Sequence, residues 1–181
     1  MSDIIIQGMG FLAMAAFLIS YQVKSNKGLL ITQSIGNLLF GLQYVLINGV
    51  SGGLTSALII IRNIQIMYKS KYSILSKPFW PVLYLALDIL LVSLSWTGFV
   101  SLLPLLAFAA GTFMYWTDNA QKIRLSNLIC CCPSWLIYDV LTGSIAGIIN
   151  ETLTITSILI SILRYGWKSL GDNKFGSKSK G

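Results

Sequence analysis

Seven long apolar runs, separated by short polar gaps, dominate the chain. They cover residues 4–23, 28–48, 53–69, 79–97, 101–117, 122–142 and 147–165. A bilayer core of about 30 Å takes roughly 20 helical residues, so each run predicts one transmembrane helix. The predicted fold class is all-α integral membrane with seven transmembrane helices, and residues 1–165 form a single membrane domain. The gaps are short, as expected of a packed helical bundle. Residues 166–181 are rich in Gly, Ser and Lys and predict a flexible tail.

The charges orient this plan. Of 181 residues, 55% are hydrophobic and 10% charged, and the formal net charge is +7. A basic chain raises the question of nucleic acid, but the positions answer it. Lys24 and Lys27 fill the first gap, and Lys69, Lys71 and Lys77 lie in or beside the third. Lys122 and Arg124 border the fifth, and Arg164, Lys168, Lys174, Lys178 and Lys180 belong to the tail end. The second, fourth and sixth gaps carry no basic residue. Positive charge marks the cytoplasmic face, so the expected N-terminus is outside and the C-terminus cytoplasmic. The expected partner of the charges is anionic lipid, with no nucleic acid. The first apolar run lacks a basic residue before it and reads as a retained helix rather than a signal peptide. A bacterial plasma membrane is the expected location.

The chain also repeats itself. Shifted by 94 residues, 10–68 overlays 104–162 without a gap, and thirteen positions are identical. They include Ala13/Ala107, Ala16/Ala110, Tyr21/Tyr115, Leu42/Leu136, Tyr44/Tyr138, Gly49/Gly143 and Gly53/Gly147. A Tyr-x4-Gly-x3-Gly pattern recurs at the same helix end, turn and next helix start. The reading is two parallel three-helix repeats, 4–69 and 101–165, joined by a linker helix over 79–97. Parallel repeats of this kind occur in transporters, with the solute site at their interface near the midplane.

Two resemblances follow. Ser20-Tyr21-Gln22-Val23-Lys24, then Lys27-Gly28-Leu29 and Gly36-Asn37-Leu38-Leu39, together with the three-plus-one-plus-three plan, resemble the SWEET and PQ-loop transporters. Tyr21 and Tyr115 stand where that family carries its hinge proline. Ser56-Ala57-Leu58, Ile61-Arg62-Asn63, Gly143-Ser144-Ile145-Ala146-Gly147 with Glu151, and Leu163-Arg164-Tyr165 resemble the YgjV-like bacterial inner membrane proteins over the full length. That second resemblance implies an inner membrane location and little about chemistry.

Charged side chains inside a membrane cost about 2.5–3.5 kcal/mol on insertion scales and are functional candidates by default. Arg62 is the one basic residue well inside a run. Three arrangements suit it: pairing with Glu151, pairing with Asp88, or snorkelling to the cytoplasmic interface. Asp139, near a run end, reads as a solvated interfacial carboxylate. Asn63 matches in order and depth the asparagine with which the similar transporters hold sugar, and its repeat equivalent is Ser157. Asn37 is a further polar candidate, or a hydrogen bond between helices. Trp135 is deep enough to line a cavity. The candidate substrate residues are therefore Asn63, Arg62, Trp135, Glu151, Ser157 and Asn37. Pro133 interrupts the sixth run and is the candidate hinge.

Cys130, Cys131 and Cys132 are adjacent and there is no histidine. Neighbouring cysteines in a helix cannot all face one ion, so no metal and no cofactor is expected. Neither a nucleophile elbow nor a metal cluster is present, which argues against an enzyme. The favoured function is a small-solute, sugar-like transporter or facilitator of SWEET or PQ-loop type. The alternative is a non-transporting structural, assembly or regulatory protein. The expected partners are the bilayer and a small polar solute, with a homo-oligomer left open.

Overall fold

A computed structural model of the protein describes residues 3–20, 26–69, 71–117 and 120–165, and excludes the side chains of residues 26, 27, 29, 120, 161, 164 and 165. Tyr21, Lys24, Trp167 and the tail from residue 166 lie outside the described residues. The helices are α1 (Asp3–Ser20), α2 (Asn26–Leu46), α3 (Val50–Tyr68), α4 (Phe79–Leu94), α5 (Leu102–Trp116), α6 (Ala120–Ser126), α7 (Cys132–Thr142) and α8 (Ile145–Tyr165). A π-helical turn, Asn127–Cys131, joins α6 and α7 into one rod, so the described residues form seven rods. Short 3-10 turns, Ser73–Ser76 and Phe99–Ser101, lead into α4 and α5.

Polarity is distributed inside out. The exposed surface carries Leu12, Ile19, Ile35, Leu38, Ile61, Leu90, Leu106, Ile129, Val140 and Ile160. The interior holds Gln33, Gln43, Thr55, Arg62, Asn63, Gln65, Asp88, Thr112 and Asp139, all under 9% exposed. In water this would expose a large apolar patch. In lipid it is the stable arrangement, because a polar side chain facing hydrocarbon has no partner. Among the described residues four segments are long and apolar enough to cross a membrane: Asp3–Ser20, Val50–Tyr68, Phe99–Trp116 and Gln121–Thr142. Leu30–Leu46, Phe79–Leu94 and Ile145–Ile160 are shorter apolar helices.

Small residues let the rods approach, as in other membrane bundles. α1 buries Gly10, Ala13, Ala16 and Ser20, at helical spacing, against α2. A Cβ on Gly10 would lie 2.5 Å from Gln43 Nε2, and one on Gly53 would lie 3.0 Å from the Gly41 carbonyl oxygen. The contacts close into a ring. α1 meets α2, α2 meets α3, α3 meets α5, α5 meets α7, α7 meets α8, and α8 returns to α1. α4 packs outside the α3–α5 seam. There Leu58, Tyr84 and Phe108 form one buried cluster, and Asp88 accepts a 2.9 Å bond from Thr55.

The α2–α3 and α7–α8 turns share one end of the ring, here termed the turn end. Gly143 ends α7 in the left-handed conformation (φ 78°), which its missing Cβ permits. A polar cluster ties this end together. Gln7 on α1 donates 2.8 Å to the Gly143 carbonyl and accepts from the Ile145 N–H at 3.2 Å. Gln43 on α2 donates 3.2 Å to Gln7, and Ser144 donates 3.1 Å to Gln43. The Ser144 hydroxyl also accepts from the Gly147 N–H at 3.2 Å, satisfying a first-turn donor of α8.

Candidate solute site

The ring encloses a cavity of about 120 Å³. Its volume is large enough for several waters or one small solute. α2 contributes Gln33, Asn37, Phe40 and Tyr44, and α3 contributes Ser56, Ile59, Arg62 and Asn63. α5 adds Phe108, Gly111 and Tyr115, the π-helical turn adds Asn127 and Cys131, and α7 adds Cys132 and Trp135. Asn150, Glu151 and Thr154 come from α8. The lining is therefore rich in amides and aromatic rings, with one cation and one carboxylate among these residues.

The cation is Arg62, and it is only 5% exposed. Nη1 donates 3.1 Å to the Thr112 hydroxyl and Nη2 donates 3.2 Å to Asn63 Oδ1. Nε–H has no partner. The guanidinium carbon lies 5.0 Å from the Tyr115 ring centroid and 5.6 Å from that of Phe108. Such faces attract a cation but do not neutralise it. Among the described residues no carboxylate comes within ion-pair distance of Arg62. The expected pairings with Glu151 and Asp88 are thus absent, and the side chain stays within the bundle rather than reaching for the membrane edge. The reason is geometric: α5 stands beside α3 and covers the guanidinium with Thr112, Phe108 and Tyr115, while Asp88 binds Thr55, two helical turns along α3 from Arg62.

The carboxylate is Glu151. Oε1 accepts 3.0 Å from Asn150 Nδ2, and Cys132 lies beside it. No described cation pairs with it either. A guanidinium and a carboxyl group therefore line one cavity without pairing.

Toward the turn end the cavity is walled by aromatic rings. Tyr44 stacks on Trp135 at 5.5 Å and 12°, and Tyr138 stands edge-on to both, at 5.4 and 5.7 Å. The two tyrosine hydroxyls fasten the helices behind this wall. Tyr44 donates 2.7 Å to Asp139 Oδ1, and the Asp139 carboxyl fills the place a Gly147 side chain would take. The Tyr138 hydroxyl accepts from the Gly52 N–H at 2.9 Å. α3 has no side-chain cap of its own at Gly49, so Tyr138 supplies one from across the ring. Asp139, expected as a solvated interfacial group, is 1% exposed, because α8 and Tyr44 close over it.

Of the six candidate substrate residues, Asn37, Arg62, Asn63, Trp135 and Glu151 line the cavity. Ser157 is not among the lining residues. It is exposed, one helical turn beyond Thr154 and rotated away, while Ile158 is buried in its stead. Pro133 stands at the start of α7, immediately after the π-helical turn. Proline cannot donate a backbone bond and clashes with the carbonyl four residues back. The widened turn relieves this, and the Cys132 N–H reaches back to the Asn127 carbonyl. Sequence reasoning passed over Tyr44, Tyr115 and Thr112 as site residues. None is charged, and a neutral polar residue in an apolar helix draws little notice. Gln33 and Asn127 did leave a signal, since they are 94 residues apart, the repeat spacing.

The family described as a bacterial inner membrane protein, Imp-YgjV, matches over residues 4–169. The chain belongs to the Imp-YgjV family. It is accordingly a multi-pass bacterial inner membrane protein, in accord with its spans and its apolar surface. No curated protein and no solved structure matches the chain significantly.

Proposed function

We propose that this Imp-YgjV protein is a small-solute carrier or facilitator. Two three-helix bundles, α1–α3 and α5–α8, would rock about the central cavity and open it to each face in turn. The observation that carries this reading is the polar cavity itself, with a buried, unpaired Arg62 at its wall. An unpaired charge at membrane depth is costly, and a protein whose role was only to pack would close such a space with apolar side chains.

The sequence repeat supports a SWEET-like arrangement with an axis along the membrane normal. Four pairs of lining residues are separated by 94 positions: Phe17/Gly111, Gln33/Asn127, Asn37/Cys131 and Ser56/Asn150. The contacts are reciprocal too, α3 with α5 and α8 with α1. So are the tyrosine latches: Tyr44 reaches the start of α8 through Asp139, and Tyr138 reaches the start of α3. In this reading the turn end faces outward and the lysine-rich end faces the cytoplasm, with the C-terminus inside. Pro133 and its π-helical turn are the natural flexure, since such irregularities let a membrane helix bend. No bond-making chemistry is assigned to the site.

The rocking motion is tested by double electron–electron resonance. Spin labels go on Val50→Cys and Ile145→Cys, exposed positions at the turn end of each bundle, with Cys130–Cys132 replaced by alanine. Two distance populations in liposomes are expected. One narrow population, unmoved by solutes, would contradict the carrier.

A further inference from the structure

We infer that the cavity is built for a small zwitterion, a molecule carrying a carboxylate and an ammonium group a few bonds apart. This rests on the carrier reading and names its substrate class. Arg62 and Glu151 are the only oppositely charged side chains among the described lining residues, and they do not pair with one another. Arg62 spends its contacts on the neutral Thr112 and Asn63, and leaves Nε–H unpartnered although the residue is 95% buried.

A guanidinium with free N–H groups takes a carboxylate through parallel hydrogen bonds. Glu151, held by Asn150 on one oxygen, offers the complementary charge for an ammonium. The stacked faces of Trp135 and Tyr44 line the same space, and aromatic faces attract cations, including quaternary ammonium. A sugar would hydrogen-bond the amides but leave both charges uncompensated. A simple anion would satisfy Arg62 and add repulsion at Glu151. A zwitterion neutralises both at once, and each buried charge is costly until it is met. The volume of about 120 Å³ restricts the solute to roughly the size of a small amino acid.

The test is a binding panel on the purified full chain in detergent, read by thermal shift and by isothermal calorimetry. The zwitterions are L-alanine, L-proline, β-alanine, 4-aminobutyrate and glycine betaine, which vary the charge separation. Propionate and ethylamine carry one charge each, and glucose and glycerol carry none. At least one zwitterion is expected to raise the melting temperature by several degrees and to bind at least tenfold more tightly than either singly charged compound. Glu151→Gln keeps the shape and the Asn150 contact but loses the charge, and should weaken binding about tenfold or more. Arg62→Lys keeps the charge and loses the fork, and should weaken it as well. Propionate, glucose or glycerol binding as well as every zwitterion would overturn the zwitterion site and leave the carrier intact. So would undiminished binding in Glu151→Gln. Silence from the entire panel would count against both.

Discussion

Tyr138→Ala is expected to lower stability by about 3–5 kcal/mol, the range for deleting a buried aromatic side chain. The ring is 1% exposed and meets Tyr44 and Trp135 edge-on. It also fills the space over Gly49 and Gly52: a Cβ on Gly52 would lie 2.5 Å from Tyr138 Cε1. Removing it opens a void among three helices and frees the Gly52 N–H. Tyr138→Phe isolates the second effect. It keeps the ring and loses the acceptor, so it should cost about 1–3 kcal/mol, the penalty of a buried donor left unpaired. Unfolding titrated with a denaturing detergent, at matched lipid content, measures both. If alanine and phenylalanine variants both unfold with the wild type, the turn end is not fastened through Tyr138.

Arg62→Met should behave in the opposite sense. Most buried arginines are held by a carboxylate, and removing such an arginine strands the partner at a cost of about 3–5 kcal/mol. Here no described carboxylate is stranded, and Thr112 and Asn63 are neutral. Methionine keeps most of the volume and removes a charge with an unpartnered N–H. The melting temperature should stay level or rise, while any solute-dependent shift disappears. Stability given up for function is the pattern expected of a binding residue. A fall of several degrees without solute would instead make Arg62 a structural hub of the α3–α5 seam.

These two residues also show how far the sequence could be read. The helical rods were legible because lipid demands long apolar runs, and the structure moves their limits by only a few residues. The third rod begins at Val50 rather than residue 53, and the seventh at Ile145 rather than 147, since the turns are tighter than the glycines suggested. Arg62 stood out because charge is rare at depth. Its surroundings did not, because Thr112, Phe108 and Tyr115 come from α5 through tertiary packing and carry no charge pattern. The repeat register failed locally. It equates Ser157 with Asn63, yet Asn63 is 1% exposed inside the ring and Ser157 faces outward. Two segments that share a sequence pattern can still differ in which residues face inward. Tyr138 was visible only as half of a repeated motif. That it caps α3 across the ring depends on a contact between residues 86 positions apart.

The central claim, that one cavity opens to both faces of the membrane, can be measured without knowing the solute. Cys131 and Cys132 line the cavity and are free thiols, 8% and 4% exposed. With Cys130 replaced by alanine, a small membrane-impermeant thiosulfonate is applied from one side and then the other to vesicles of known orientation. The account predicts modification from both faces, with the two rates shifting in opposite directions when the Tyr138 latch is loosened by phenylalanine. Modification from one face only, unchanged in that variant, would contradict it.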